Sequence, residues 1–347
     1  MSADAATHSS SSENPAPSPS VHRAQAAVQS LSLVLDALPD SLASSDNPAA
    51  ALLHDESLAR EISARLRRPG SGAGDDNLCR WLYDTFQSND PGLQLVVLNF
   101  TPTVAGVYLS RAITRERLAG FEAVLLALYA YETVIRGGEA ETLMLPNLAN
   151  PSVYHEAKAA NKKTAVELNM AMVSPAMEPY GTVRSTKRAR IVGVALELYL
   201  SKISFMPLAS KLAFCEFCVV WAGQEESGAA ATEVEQVAGE GGAKEERAGK
   251  ATGRVPLPWE LFQPVVRVAG HCLLGPSSSA ELKANAYTAV ERLHRRATQE
   301  MNPQKILATR SLLRLGNTGD DVIAEPTITT SPDESEIEAL KVKARMT

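Results

Sequence analysis

The chain has 347 residues, of which 45% are apolar, and its 34 basic and 40 acidic side chains give a net charge of −6. That apolar fraction is enough to bury the core of one large or two ordinary domains, so we expect a folded body. Most of the excess acid lies in the terminal segments and in a central linker, which leaves the body close to neutral. A neutral body disfavours nucleic acid as a partner, because duplex binding needs a concentrated basic face.

The cysteines and the N-terminus indicate a reducing, cytosolic setting. Four cysteines lie in apolar helical contexts, and the N-terminal residues are polar and Ser-rich rather than typical of a secretory signal. No apolar run reaches the roughly 18 residues that a membrane-spanning helix needs. We therefore expect any membrane association to be peripheral.

The N-terminal part predicts a disordered tail followed by helices. Residues 1–20 carry almost no large apolar side chain, so burial cannot offset their ordering entropy. Apolar spacing predicts one helix over Val21 to Leu38 and a second from Pro48 to about Arg68. The PGSGAG stretch at 69–74 has the spacing of a dinucleotide-binding fingerprint, but no strand pattern precedes it, so a linker is favoured.

The next segments predict capped and broken helices. Asp75 and Asp76 are expected to cap one helix, and Asp90 followed by Pro91 opens another. Pro102 has no N–H to donate, so the segment up to about Ala112 should be kinked or split.

The region from Leu118 to Glu156 is the part around which the rest is organised. Apolar residues at steps of three and four predict a helix there: Leu118, Phe121, Val124, Leu125, Leu128 and Tyr129. Gly137 and Gly138 tolerate positive φ, so we expect the helix to stop there and the chain to reverse through Thr142 to Pro146. The polar turn PSVYHE follows at 151–156.

Further helices are expected after this unit. Lys162 to Met172 is a weaker helix candidate, and Arg184 to Phe205 is a long one. Pro207 starts a successor that continues to Trp221, and we expect these last two helices to form an antiparallel pair. Residues 223–254 are rich in Ala, Gly and Glu and lack aromatics, which predicts a disordered insert.

Order is expected to resume near Pro256. A capping-box pattern at 278–281 predicts a helix to about Glu300, and Asn302 with Pro303 opens a last helix that ends at Gly316. The acidic remainder, 317–347, is expected to be a disordered tail.

The predicted class is all-α. We expect an irregular helical bundle or short α-solenoid of about ten to twelve helices, with disordered termini and one disordered internal insert. Residues 21–222 form the body, and residues 255–316 complete the same helical domain.

No segment carries a convincing catalytic or metal-binding pattern. Cys215 and Cys218 form a CxxC pair, but no second pair lies at metal-ligand spacing, so buried core cysteines are favoured. Ser152 and His155 are residue types of a hydrolytic triad, yet they lack the strand-turn-helix setting that exposes a nucleophile. Kinase and Walker signatures are missing as well. We expect neither an enzyme nor a cofactor or metal.

Two sets of residues are candidates for binding. The apolar residues at 91–112 are numerous for a monomer, and Leu95, Val96 and Leu109 point away from the main stripe, which predicts a partner interface. Tyr154 and His155 pair an apolar ring with a polar tip and join that set.

A basic cluster is the second candidate. It consists of Arg184, Lys187, Arg188 and Arg190. Nuclear targeting, contact with an anionic membrane and a solvated helix start are all open interpretations.

Two stretches resemble the signature of a known family. GFEAVLLALYAYE (Gly120 to Glu132) and LPNLANPSVYHE (Leu145 to Glu156) are similar to the hyccin family, and a weaker similarity extends from about Asn77 to Leu315. The plant-type members look closer than the animal ones, which lack the insert at 223–254 and carry a longer C-terminal extension.

The resemblance implies a role that composition does not show. Hyccins are non-catalytic subunits of the plasma-membrane phosphatidylinositol 4-kinase complex. The implied partners are a tetratricopeptide-repeat scaffold subunit, the kinase catalytic subunit and a membrane-anchoring subunit. The implied location is the cytoplasm, with peripheral recruitment to the plasma membrane. A helical adaptor in vesicle traffic and a hydrolase using Ser152 and His155 are the alternatives.

Overall fold

The computed structural model describes residues 18–35, 38–39, 42, 44–146, 168–174, 176–178, 187–223 and 255–318. Over these residues the chain forms twelve α-helices, one short 3-10 helix and one two-stranded sheet. The predicted all-α class is therefore confirmed. Almost all of the three segments predicted to be disordered, 1–20, 223–254 and 317–347, lies outside the described residues.

The helices and strands have the following bounds. In chain order they are α1 (Pro19–Ser32), α2 (Pro48–His54), α3 (Glu56–Arg67), α4 (Asn77–Gln87), α5 (Pro91–Asn99), α6 (Thr101–Ala112), α7 (Ala119–Ile135), β1 (Glu141–Pro146), β2 (Leu168–Ser174), α8 (Arg188–Ser201), the 3-10 helix (Ile203–Phe205), α9 (Leu208–Ala222), α10 (Trp259–Leu274), α11 (Ala280–Gln299) and α12 (Pro303–Thr318). Helices α1 and α12 each include two residues that the sequence analysis assigned to the tails.

The prediction of one helix over Pro48 to Arg68 is wrong, because Asp55 divides it into α2 and α3. The backbone of Asp55 is extended, with φ −75° and ψ 100°. Its carboxylate accepts a hydrogen bond from the Leu58 N–H at 2.9 Å, which caps the first turn of α3. Hydrogen bonds from Ser57 and Leu58 lower the pKa of the Asp55 carboxyl.

The predicted break near Pro102 is confirmed. Helices α5 and α6 are bent by 42° relative to each other, and Phe100 lies between them. Pro102 lies in the first turn of α6, where a missing N–H leaves no hydrogen bond unmade. Asp76 caps α4 as expected, with its carboxylate accepting from Leu78 N at 2.8 Å.

The loop at 69–74 connects two helices rather than a strand and a helix. It follows α3, and the carbonyl oxygen of Gly72 accepts a hydrogen bond from Gly120 N at 2.8 Å. Helix α7 has no side-chain cap at its own N-terminus, so this loop supplies an acceptor for its first turn. The linker interpretation therefore fits, with an added packing role.

The centre of the fold is α6, which is buried all round. Every residue from Thr101 to Leu109 is buried, and α6 packs against α3, α7, α8 and α9. Helix α8 is buried over Ile191 to Tyr199 in the same way. A helix covered on all sides needs no polar face, which explains the density of apolar residues in these segments.

Helix α7 ends at Ile135, as predicted, because Gly137 and Gly138 adopt φ values of +60° and +79°. Strand β1 then pairs antiparallel with β2, from Pro146 opposite Leu168 to Glu141 opposite Ser174. The helix predicted over Lys162 to Met172 is wrong where the structure describes it, since Leu168–Ser174 is β2. A short apolar segment suits either conformation, and the neighbouring strand decides between them.

The predicted antiparallel pairing of α8 and α9 is also wrong. Helix α8 packs against α7 and α10, whereas α9 packs against α6 and α11. The crossing of α8 and α10 is close at Gly193, where an added Cβ would lie 2.5 Å from the Glu260 carbonyl oxygen. Only glycine fits there without a shift of the backbone.

Candidate partner-binding groove

The predicted interface residues on α5 and α6 are mostly part of the core. Val96 is 1% exposed and Leu109 is 5% exposed, whereas Leu95 is half-buried against the core. The expectation that Val96 and Leu109 form a partner surface is therefore wrong for the folded chain. Helices α3, α7, α8 and α9 cover the apolar faces that the sequence alone left without a neighbour.

Three predicted site residues lie outside the described residues. Tyr154 and His155 of the PSVYHE turn belong to that set, as does Arg184 of the basic cluster. Ser152 of the alternative hydrolase site also lies outside.

The other basic residues bind to the chain itself. Arg188 Nε donates to the Tyr108 hydroxyl at 2.7 Å, and its guanidinium lies 5.4 Å from the centre of that ring. Lys187 forms an ion pair with Glu178 at 3.0 Å, and Arg190 donates to the carbonyl oxygen of Ala176. Three of the four basic side chains therefore have a partner among the described residues, and contact with an anionic membrane stays a prediction.

The cysteines are core residues. Cys79, Cys215, Cys218 and Cys272 are all buried and free, and burial raises the pKa of the Cys218 thiol. Within the described residues no group of three or more His, Cys, Asp or Glu side chains could hold a metal ion. The burial fits the core interpretation of the CxxC pair.

A concave surface of about 630 Å³ lies between α3 and α9, which both pack on α6. Small side chains form much of its walls, and α11 closes one side. The main lining residues are Leu53, Ala59, Ser63, Ala64, Asn99, Thr103, Ala209, Ser210, Leu212, Ala213, Glu281 and Asn285. We call this surface the α3–α9 groove.

Polar side chains lie along the floor of the α3–α9 groove although they are buried. Asn99 is 6% exposed, Thr103 is 2% exposed and Ser210 is 5% exposed. The Ser210 hydroxyl donates to the Asn99 carbonyl oxygen at 2.6 Å and lies 3.1 Å from the Tyr199 hydroxyl. This network joins α5, α8 and α9 under the groove.

Charged side chains line the rim of the α3–α9 groove. Arg67 forms a bidentate ion pair with Glu216, with distances of 2.9 and 2.8 Å, and its guanidinium lies 4.8 Å from the centre of the Phe217 ring. The pair bridges α3 and α9 at one end. Arg60 on α3 and Glu281 on α11 also lie on the rim.

A second cavity, of about 640 Å³, surrounds an ionic cluster at the C-terminus of α7. Arg136 pairs with Glu132 at 2.8 Å and with Glu197 at 3.2 Å, and both carboxylates are largely buried. The cluster joins α7 to α8. Because the single Arg136 guanidinium bridges a carboxylate of each helix, it holds these helices together.

Along the described parts of the chain, no single helix combines the length and apolarity to cross a membrane, and only the bent pair of α5 and α6 does so when taken together. Both helices of this pair are central to the core.

Sequence analysis did not identify Asn99 or Thr103. Both belong to the NFTPT stretch, where polar residues interrupt the apolar run of α5 and α6. A polar side chain inside a segment that is otherwise fully apolar is the signal that could have found them.

The comparison with protein families agrees with the resemblance seen in the sequence. Residues 43–334 match the family model described as Hyccin. The match includes every helix from α2 to α12 and therefore covers most of the chain. The chain thus belongs to the hyccin family.

Proposed function

We propose that this chain binds a tetratricopeptide-repeat scaffold and thereby stabilises a phosphatidylinositol 4-kinase assembly at the plasma membrane. Its family makes it, in general terms, a non-catalytic subunit of a phosphatidylinositol 4-kinase complex. The match over residues 43–334 is the observation that carries the proposal. In this role the chain supports the production of phosphatidylinositol 4-phosphate without transferring phosphate itself.

The fold supports a role in binding. Helices α6 and α8 are buried within a core that extends through the body, so the surface helices are held on a rigid support. The α3–α9 groove lies on this support and offers a preformed apolar surface with a charged rim. Rigid surfaces bind with a small entropic cost, because few side chains have to be ordered.

The other members of the proposed assembly are the kinase catalytic subunit and a membrane-anchoring subunit. In this proposal the chain stays in the cytoplasm and reaches the plasma membrane through the complex. Arg188 and Arg190 have partners within the chain, so direct attraction to anionic lipid is not needed for this recruitment.

Affinity purification of the tagged chain followed by mass spectrometry tests the assembly. We expect the scaffold and kinase subunits to be recovered in amounts comparable to the chain, and a tagged unrelated helical protein serves as the control. Recovery of vesicle-coat components in place of the kinase subunits would favour the adaptor alternative and contradict the proposal.

The absence of catalysis is tested on the purified chain alone. We expect no phosphate transfer to phosphatidylinositol and no hydrolysis of ester substrates. Turnover that is abolished in Ser152→Ala or His155→Ala would contradict the proposed non-catalytic role and support the hydrolase alternative.

A further inference from the structure

We propose that the α3–α9 groove binds a short apolar peptide segment of the scaffold subunit, and that the main-chain amides of this segment pair with Asn99 and Thr103. The inference rests on the proposed function and adds the place and the chemistry of the contact. The groove is formed by the described residues alone, on six helices that share one core: α2, α3, α5, α6, α9 and α11.

The first support is a pair of largely buried polar side chains that have no hydrogen-bond partner among the described residues. Asn99 is 94% buried and Thr103 is 98% buried, since they are 6% and 2% exposed, and both line the groove. Neither side chain forms a hydrogen bond with any residue that the structure describes. Neither side chain contributes a fully buried polar atom without a partner, so their polar atoms are reachable from the groove. An occupant that displaces water from the groove must therefore pair with them, because leaving polar groups unpaired is costly.

Ser210 shows that this lack of partners is specific to Asn99 and Thr103. Ser210 lines the same groove and is buried to a similar extent. Its hydroxyl is nonetheless satisfied, because it donates to the Asn99 carbonyl oxygen and contacts the Tyr199 hydroxyl. The fold therefore supplies hydrogen-bond partners for the Ser210 hydroxyl, whereas the side chains of Asn99 and Thr103 remain available to an occupant of the groove.

The chemistry of the floor and walls suits a peptide main chain. An Asn side chain presents donors and an acceptor together, and a Thr hydroxyl is both donor and acceptor, which matches the N–H and C=O of a peptide unit. Small side chains at Ala59, Ser63 and Ala213 let a backbone approach the walls closely. The volume of about 630 Å³ falls within the usual range for ligand sites.

The charges of the rim define the flanking side chains of the segment. Arg60 on the α3 side and Glu281 on the α11 side form no ion pair with another described residue. Arg67 and Glu216 already neutralise each other. Glu56 lies one helical turn before Arg60 on the same rim and offsets its charge, so the complementary segment carries a basic side chain toward Glu281. A polyanion is disfavoured, because the rim carries both signs.

Binding of the purified scaffold subunit, measured by calorimetry, tests the proposal with two kinds of variant. Asn99→Leu and Thr103→Val remove the polar groups at similar volume, and Ala64→Trp fills the groove from an exposed position on α3. Ala26→Trp, at an exposed position on α1 outside the groove, is the matched control. We expect the polar variants to weaken binding at least about tenfold, Ala64→Trp to abolish it and Ala26→Trp to bind normally.

A stability measurement separates binding from a structural role. Because the side chains of Asn99 and Thr103 have no partner among the described residues, we expect Asn99→Leu and Thr103→Val to keep or raise the melting temperature. A fall of several degrees in both would show that these residues hold the fold, and it would overturn the inference. Weaker binding at equal or higher stability would support it.

The remaining outcomes distinguish a failure of the groove proposal from a failure of the proposed function. If Ala64→Trp and Asn99→Leu bind the scaffold as tightly as the wild type does, the groove is not the binding site, but the proposed scaffold role still holds. A wild-type chain that does not bind the scaffold would overturn both. Concentration-dependent dimers that Ala64→Trp abolishes, or scaffold binding that improves when residues 319–347 are removed, would place another occupant in the groove and overturn this one.

Discussion

Arg296 Nη2 donates a hydrogen bond to the carbonyl oxygen of Val255 at 2.7 Å. The same guanidinium donates to the carbonyl oxygen of Trp221, and its Nε pairs with Glu300 at 2.7 Å. Trp221 and Val255 flank residues 224–254 in the sequence. Arg296 is 5% exposed, so one buried side chain of α11 holds together the two points at which this segment joins the helical body.

Replacing Arg296 with Met should destabilise the chain by about 3 kcal/mol or more, because two buried carbonyl oxygens lose their partner and the Glu300 carboxylate is left with Lys305 alone. Urea denaturation measures the free energy of unfolding. Arg295→Met is the matched control, since Arg295 is exposed on the same helix, and it should change stability by less than about 0.5 kcal/mol. Equal effects of the two substitutions would contradict the role given to Arg296.

Replacing residues 224–254 with a short Gly/Ser segment should leave the melting temperature nearly unchanged. Arg296 fixes both ends of the connection, and the entropy of closing a loop varies only with the logarithm of its length. Thermal unfolding and scaffold binding are the two measurements. A large fall in melting temperature would show that this segment packs against the body.

Glu300 should make the chain less stable in acid. Burial raises the pKa of its carboxyl, but hydrogen bonds from Lys305 at 2.6 Å and from Arg296 outweigh burial, so the net pKa is lowered. A lowered pKa in the folded state gives stability that is present above the ordinary carboxyl range, near pH 4.3, and is lost as the pH falls through the folded pKa.

Unfolding free energies of wild type and Glu300→Gln, measured between pH 7 and pH 3, test this dependence. We expect the two proteins to differ most at neutral pH and to converge in acid. Glu291→Gln, at an exposed position on α11, should give a curve parallel to that of the wild type. If the difference in unfolding free energy between the wild type and Glu300→Gln does not change with pH, the lowered pKa of Glu300 is contradicted.

Replacing Leu109 with Asp should destabilise the isolated chain rather than only weaken partner binding. Leu109 is 5% exposed on α6, and a carboxylate there would lose water without gaining a partner, at a cost of about 3 kcal/mol or more. Thermal unfolding without any partner measures the effect. Leu33→Asp, at a side chain that is 88% exposed, is the control and should be nearly neutral. A stable Leu109→Asp variant that binds no scaffold would restore the original interface prediction.

Local sequence signals were sufficient where the deciding interaction lies within a few residues. Asp76 and Asp90 cap α4 and α5, Pro102 separates α5 from α6, and Gly137 follows the end of α7, all as predicted. The physical reason is that a cap, a missing N–H or a positive φ acts on its own turn. Asp55 acts in the same way, because its carboxylate caps the first turn of α3.

The all-α class, the order of the helices and, through two stretches within Gly120 to Glu156, the hyccin family could be predicted from the amino-acid sequence. The apolar faces that are covered could not be predicted in this way, because their burial depends on helices far apart in the chain. Leu109 is buried since α6 lies between α3 and α9, and Asn99 lines a groove since those two helices do not close over it. Helices that are distant in the sequence but adjacent in the fold leave no local sequence pattern. The candidate partner surface could therefore be located only from the packing of the helices.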